Sequence, residues 1–211
     1  MTISAETPTH LESFKKLDSK DPLKKFRKRF YHPKNKNGNP FVYLCGNSLG
    51  LQPDTAKQFV QDELYAWGKL GVDAHFQAKR PWLAYHEFLT SYSAEIVGAL
   101  ETEVVVMNSL TVNLHLLMAS FYRPKGKRKK ILIENHAFPS DRYAVQSQLK
   151  FHGHHPNEDL LVLQPDQGEN ISLNAIMNCL DNYGEEIALV LLGGVNYYSG
   201  QAFDMAAITD K

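Results

Sequence analysis

The second half of the chain alternates between two hydrophobic periods. Apolar residues at helical spacing cover Leu110–Tyr122, Asp141–Phe151 and Leu173–Tyr183. Between these lie short runs that are apolar nearly throughout: Val104–Met107, Lys130–Glu134, Leu160–Leu163 and Ile187–Leu192. Such runs lack the in–out alternation of a half-exposed strand, as strands buried on both faces do. Alternation of these strands with helices predicts an α/β fold with a mainly parallel sheet and flanking helices. From Ala206 the chain opens what looks like a further crossover helix, and the polar ending suggests a longer design that has been cut.

The first half is less regular. Residues 1–20 form a polar arm, with helix from Leu11. Asp21 and Pro22 predict an N-cap and first turn for a short basic helix. A turn-rich loop, "HPKNKNGNP", leads to a short strand at Phe41–Leu44 and the Gly-containing loop "CGNSLGLQP". Helices are expected over Asp54–Leu70 and Trp82–Val97, joined by the loop "GVDAHFQAKRPW". The expected organisation is residues 1–53 as arm, helix and loop, and residues 54–211 as part of a larger α/β domain.

Composition narrows the function classes. Lys plus Arg and Asp plus Glu each number 23, so the formal net charge is zero, which argues against a dedicated nucleic-acid binder. Cys45 and Cys179 have no zinc or disulfide-framework spacing. No apolar run approaches a membrane span, and the start lacks the apolar stretch of a secretion signal, so a cytoplasmic protein without a membrane partner is expected. The basic stretch "RPKGKRKK" is expected to be a solvated loop, and "FHGHHP" a helix end entering a Pro turn rather than a metal site.

Ligands of open parallel sheets bind beyond the carboxyl ends of the strands. Three stretches fall there. "MNSLTVN" opens a helix, and its free N–H groups with Ser109 and Thr111 could hold a phosphate or simply be capped. "HAFPSDRYAV" puts Phe138 and Asp141 after a strand; they could serve a planar ligand, or Ser140 and Asp141 could cap the helix. "GGVNYYSGQ" combines paired glycines with Tyr197 and Tyr198.

Together, "YLCGNSLGLQP", "HFQAKRPWLAYHE", "VVVMNSLTVNLHLLMASFYRP", "AFPSDRYAVQSQL" and "EIALVLLGGVNYYSGQAFD" closely resemble the kynureninases, from about Leu23 onwards. The resemblance implies part of the large domain of a fold-type I pyridoxal phosphate transferase, preceded by a helical segment. It implies hydrolysis of L-kynurenine to anthranilate and L-alanine, and of 3-hydroxykynurenine to 3-hydroxyanthranilate and L-alanine, in tryptophan catabolism and de novo NAD synthesis. The implied cofactor is pyridoxal 5'-phosphate. Leu110 and Thr111 would contact its phosphate, Phe138 would stack on its ring, Asp141 would lie near the ring nitrogen, and Pro139 and Ser140 would shape that loop. Gly193 stands where many relatives have Ser. Ser48, His75 and Arg80 match substrate-pocket positions.

In the family the Schiff-base lysine lies beyond the position of Lys211, so no catalytic residue is expected within this chain. The family also implies a homodimer with sites at the subunit interface. A chain lacking the lysine would then be inactive alone. Alternatives are a non-catalytic form that associates with a full-length subunit, and another enzyme of the same superfamily such as a cysteine desulfurase.

Overall fold

The computed structural model describes residues 11–211. The expected arm over residues 1–10 lies outside them. The described residues divide into two compact units between Tyr85 and His86.

The first unit is helical. Helix α1 covers Leu11–Lys20, and a 3-10 helix covers Lys24–Arg29. Contrary to expectation, Asp21 is not the N-cap of the short basic helix; Leu23 holds that position. The Asp21 carboxylate accepts the Leu23 N–H at 2.8 Å and closes a local turn. Phe41–Leu44 is not a strand, because its neighbourhood offers only an isolated bridge between Lys34 and Pro40. A strand without a ladder leaves its backbone groups unpaired. Helix α2, Ala56–Leu70, ends at Gly71, whose φ of 56° few other residues adopt. The following segment contains a short helix, α3, Ala74–Gln77, where a loop was expected.

The second unit holds the sheet. Helix α4 covers Glu87–Val97, starting later than the expected Trp82. Val104–Met107 pairs with no strand among the described residues, so the expected strand there does not form. Helix α5 covers Leu110–Phe121 and leads into strand β1, Lys130–Glu134. Helix α6, Pro139–Phe151, and the short α7, Pro156–Asp159, connect to strand β2, Leu160–Leu163. Helix α8, Leu173–Tyr183, then leads to strand β3, Ile187–Leu191, and helix α9, Met205–Asp210.

The three strands are parallel in the order β2-β1-β3, so β1 is central. Its residues alternate between two cores. Ile131 and Ile133 pack with Leu114 and Met118 of α5 and with Val145 and Leu149 of α6. Leu132 packs with Ile176 of α8, Ile208 of α9, and Phe203. All three β1 residues are buried. Each such side chain contributes about 1.5–3 kcal/mol by leaving water. The α/β class expected from the hydrophobic pattern is thus observed.

The basic stretch before β1 is more than a solvated loop. Lys129 pairs with the buried Asp159 at 3.0 Å, Lys130 with Glu186 at 3.3 Å, and Lys127 with Glu185 at 3.3 Å. The Tyr122 hydroxyl donates to the Lys129 carbonyl at 2.6 Å. Burial, with Asp159 nearby, pushes that phenol up to about 12. These contacts lock the end of the sheet opposite the candidate site.

Candidate functional site

The carboxyl ends of β1 and β3 carry two loops that converge. After Glu134 the chain turns through His136, whose φ of 53° is in the left-handed region. Pro139 then occupies the first helical position of α6, where its missing N–H costs nothing. The helix therefore starts earlier than expected, and neither Ser140 nor Asp141 caps it. The N-cap position is Phe138, with no side-chain cap bond. Asp141 lies one turn in, and its N–H donates to the Phe138 carbonyl at 2.9 Å. The Asp141 carboxylate accepts the Ser140 hydroxyl at 3.1 Å. It sits at the positive end of α6, which favours an anion.

The β3 loop brings its aromatic rings to this junction. Tyr197 meets Phe138 edge-on at 5.0 Å, and Tyr198 stacks on His136 at 4.3 Å. Asn196 makes this possible. It is buried, and its amide nitrogen donates to the Asn135 carbonyl at 3.2 Å. Its oxygen accepts the N–H groups of Tyr198 and Ser199, each at 3.0 Å. Gln201 closes the loop from the other side, pairing with both backbone groups of Ile171.

Glu134 is a second buried polar group at this edge. It accepts the Gly193 N–H at 3.3 Å. Burial pushes its carboxyl above the usual range; its own N–H and that of Gly193 hold part of the rise back, and Asp141 adds to it. A Cβ on Gly193 would lie 3.3 Å from the Val195 carbonyl oxygen and 3.4 Å from Glu134. The fit is tight enough that a larger residue requires a small shift.

The start of α5 is a separate feature of the same unit. Asn108 enters it with φ of 41°, and Ser109 occupies the N-cap without making a side-chain cap bond. The N–H groups of Leu110, Thr111 and Val112 have no acceptor among the described residues. Asn113 donates to the Met107 carbonyl at 2.8 Å, while its own side-chain oxygen is buried and unpartnered. Unpaired donors at a helix start suit an anionic group.

The sequence-predicted residues of the first unit have a different setting. Ser48 lies exposed in the turn that follows Cys45, its N–H donating to the Cys45 carbonyl at 3.0 Å. His75 is exposed on α3, with the Trp82 ring edge-on at 5.4 Å. Arg80 is not a free cation. Its guanidinium meets Glu63 at 2.8 Å and Asp62 at 3.3 Å, and lies over the Phe59 ring at 4.6 Å. Bonds to Glu63 raise its proton affinity further against an opposing effect of burial. Lys211 pairs with Asp181.

Comparison with known proteins finds similar chains of one kind. The chain is 53% identical over 200 residues to "Kynureninase" of Myxococcus xanthus, covering 94% of this chain and 47% of that protein. It is 55% identical over 194 residues to "Kynureninase" of Koribacter versatilis, covering 92% of the chain and 46% of the relative. The chain is a homologue of the kynureninases. The relationship extends to an animal kynureninase, from Nematostella vectensis, at 44% identity over 205 residues. The chain spans about half the length of the curated kynureninases that it matches. No family model matches it.

Sequence reasoning missed Glu134, Asn196 and Glu63. Glu134 had a signal, an acid closing an apolar strand where sites form. Asn196 and Glu63 had none, since their roles depend on partners such as Asn135 and Trp82, distant in the sequence.

Proposed function

We propose that this chain forms the cofactor-stacking and phosphate-holding part of a kynureninase, a pyridoxal 5'-phosphate hydrolase. Its reaction converts L-kynurenine to anthranilate and L-alanine, and 3-hydroxykynurenine to 3-hydroxyanthranilate and L-alanine. The pathway context is tryptophan catabolism and de novo NAD synthesis, in the cytoplasm. The observation that carries this reading is the start of α6. There the half-exposed Phe138 ring and the Asp141 carboxylate, which does not cap the helix, stand one turn apart.

Pyridoxal phosphate fits the residues present. The unpaired donors at the start of α5 suit its phosphate, and the ring of Phe138 offers a face to its pyridine. When bound, the cofactor supplies an electron sink for cleavage beside the substrate carbonyl. Leu110 and Thr111 would hold the phosphate. Phe138 would stack on the ring, with Pro139 and Ser140 fixing its approach. Asp141 would favour a proton on the ring nitrogen. Gly193 would keep the β3 loop close, its N–H committed to Glu134. Ser48 and His75 would orient the aryl ketone end of the substrate. The charge of Arg80 is already matched by two carboxylates, so it would act by holding the segment that carries His75.

Titrating pyridoxal phosphate into the chain and following its absorbance and induced circular dichroism tests the reading. Phe138→Ala is expected to weaken binding roughly fivefold, the equivalent of about 1 kcal/mol of ring stacking. Binding that is unaffected by this change, or absent from the unaltered chain, overturns it. The covalent lysine is read as lying outside residues 1–211. A polypeptide of those residues, given cofactor and kynurenine, should release no anthranilate fluorescence above the free-cofactor rate.

Extensive apolar exposure favours a second reading, association with a complete subunit within a homodimer-like assembly. Tyr92 and Ile96 of α4, and Leu117 and Phe121 of α5, are all exposed. Patches of this kind mark protein contacts. Size-exclusion chromatography with and without a full-length relative tests this; a stable monomer that ignores the relative argues against it.

A further inference from the structure

The first unit contains a buttress behind His75 whose central residue, Glu63, is not among the site residues named above. It begins on α2, where Phe59, Asp62 and Glu63 lie at helical spacing and face one way. Arg80 lies over Phe59 and bonds to both carboxylates. Glu63 is the shared member. One carboxylate oxygen accepts Arg80 Nε at 2.8 Å. The other accepts the Trp82 indole N–H, also at 2.8 Å. Both oxygens of a single carboxylate are thus committed to two side chains of the segment Arg80–Trp82.

That segment is tied to α3 as well. The Trp82 N–H reaches the Ala74 carbonyl at 3.4 Å, and the Leu83 N–H reaches the His75 carbonyl at 3.2 Å. The Trp82 ring lies edge-on to His75, with an interplanar angle of 66°. An indole ring has one N–H, and anchoring it fixes the rotation of the ring plane. The surface offered to His75 is therefore set from α2. Arg80 contributes by orienting Glu63; a fork-shaped guanidinium holds a carboxylate more rigidly than an ammonium would.

We propose that Glu63 is a positioning residue, whose carboxylate clamps the Trp82 indole and so sets the orientation of His75. This rests on the reading of His75 as a substrate contact. The clamp itself can be tested without substrate or cofactor, which keeps failure of the two ideas distinguishable.

The experiment uses the 211-residue chain and nuclear magnetic resonance. The Trp82 indole N–H and the His75 ring protons are the reporters, assigned with Trp82→Phe and His75→Asn. In the unaltered chain the indole N–H should exchange slowly, and the His75 protons should carry a ring-current shift from Trp82. Glu63→Ala should make the indole N–H exchange rapidly and displace the His75 signals. Trp82→Phe, which keeps a ring and loses only the donor, should also displace the His75 signals while the Arg80–Glu63 pair persists. Glu63→Gln, which retains an acceptor oxygen, should restore much of the unaltered His75 position. Kynurenine is then added to each variant, and movement of the His75 signals scores the substrate reading separately.

Unmoved His75 signals in both Glu63→Ala and Trp82→Phe overturn the proposal. So does a His75 displacement in Glu63→Ala that appears only with loss of the folded spectrum, if Trp82→Phe stays folded and leaves His75 in place. A normal clamp with no kynurenine response overturns the substrate role of His75 and leaves the clamp standing.

Discussion

Replacing Asn196 with alanine should loosen the β3 loop and lower stability together. Asn196 is 5% exposed and uses both ends of its amide. It donates once, to Asn135, and accepts from two backbone N–H groups and from the Ser199 hydroxyl at 3.3 Å. A net hydrogen bond contributes about 1 kcal/mol, and a buried group left unpaired costs about 1–3 kcal/mol. Tyr198 and Ser199 lie in a loop that water can reach, which reduces the penalty for their N–H groups. The Asn135 carbonyl and the collapse of the ring contacts keep it substantial. Asn196→Ala should therefore destabilise the second unit by about 3 kcal/mol, a shift of roughly a hundredfold in its unfolding equilibrium. Urea unfolding gives the free energy, and amide hydrogen exchange gives the location. Protection should fall first at Tyr198 and Ser199. Asn196→Asp retains the acceptor and should keep that protection while losing the Asn135 bond. A loss below about 0.5 kcal/mol, or exchange unchanged at those two amides, refutes the reasoning.

Other substitutions probe the core and the buried charges. Leu132→Ala opens a cavity on the α8–α9 side of the sheet and should cost about 2–5 kcal/mol in urea unfolding. Burial pushes the Asp159 carboxyl up, but Lys129 and the His155 N–H outweigh that and hold it below its usual range. Its stabilising contribution is therefore complete above the unfolded value of about 3.9 and is lost as pH falls through the lower folded value. Asp159→Asn should flatten the acid limb of a plot of stability against pH. Glu134 has the opposite sign: its folded value is raised, so ionisation in the folded state is disfavoured and stability falls as pH rises through that value. Glu134→Gln should match the unaltered chain below about pH 4 and gain on it near neutrality, by thermal unfolding. A variant that is less stable at neutral pH would show that the Gly193 bond outweighs the burial of charge.

Much of the second unit was legible because its signals are local. The apolar runs at Lys130–Glu134 and Leu160–Leu163 need no distant information to be recognised as buried strands, and the observed bounds match. Val104–Met107 has the same composition yet stays unpaired, since pairing depends on a neighbour and composition does not supply one. Phe41–Leu44 failed for the same reason. At the candidate site, Phe138 and Asp141 were legible as a ring and a carboxylate after a strand. Their start-of-helix geometry was not, because Pro139 moved the boundary and left Phe138 at the N-cap. Arg80 shows a further limit. An arginine in a loop suggests a free charge, and only the folded chain reveals that Asp62 and Glu63 have already claimed it.

The strand order has a consequence for synthesis. The central strand β1 is made first, and its neighbour β3 follows about 55 residues later. At ribosomal rates of about 5–20 residues per second, Ile131, Leu132 and Ile133 wait roughly 3–11 seconds for their second flank. During that interval β1 gains α5, α6 and α8 on its faces and β2 along one edge, while the edge that β3 will take stays unpaired. Chaperone capture should therefore peak while the polypeptide from α6 to β3 is being translated.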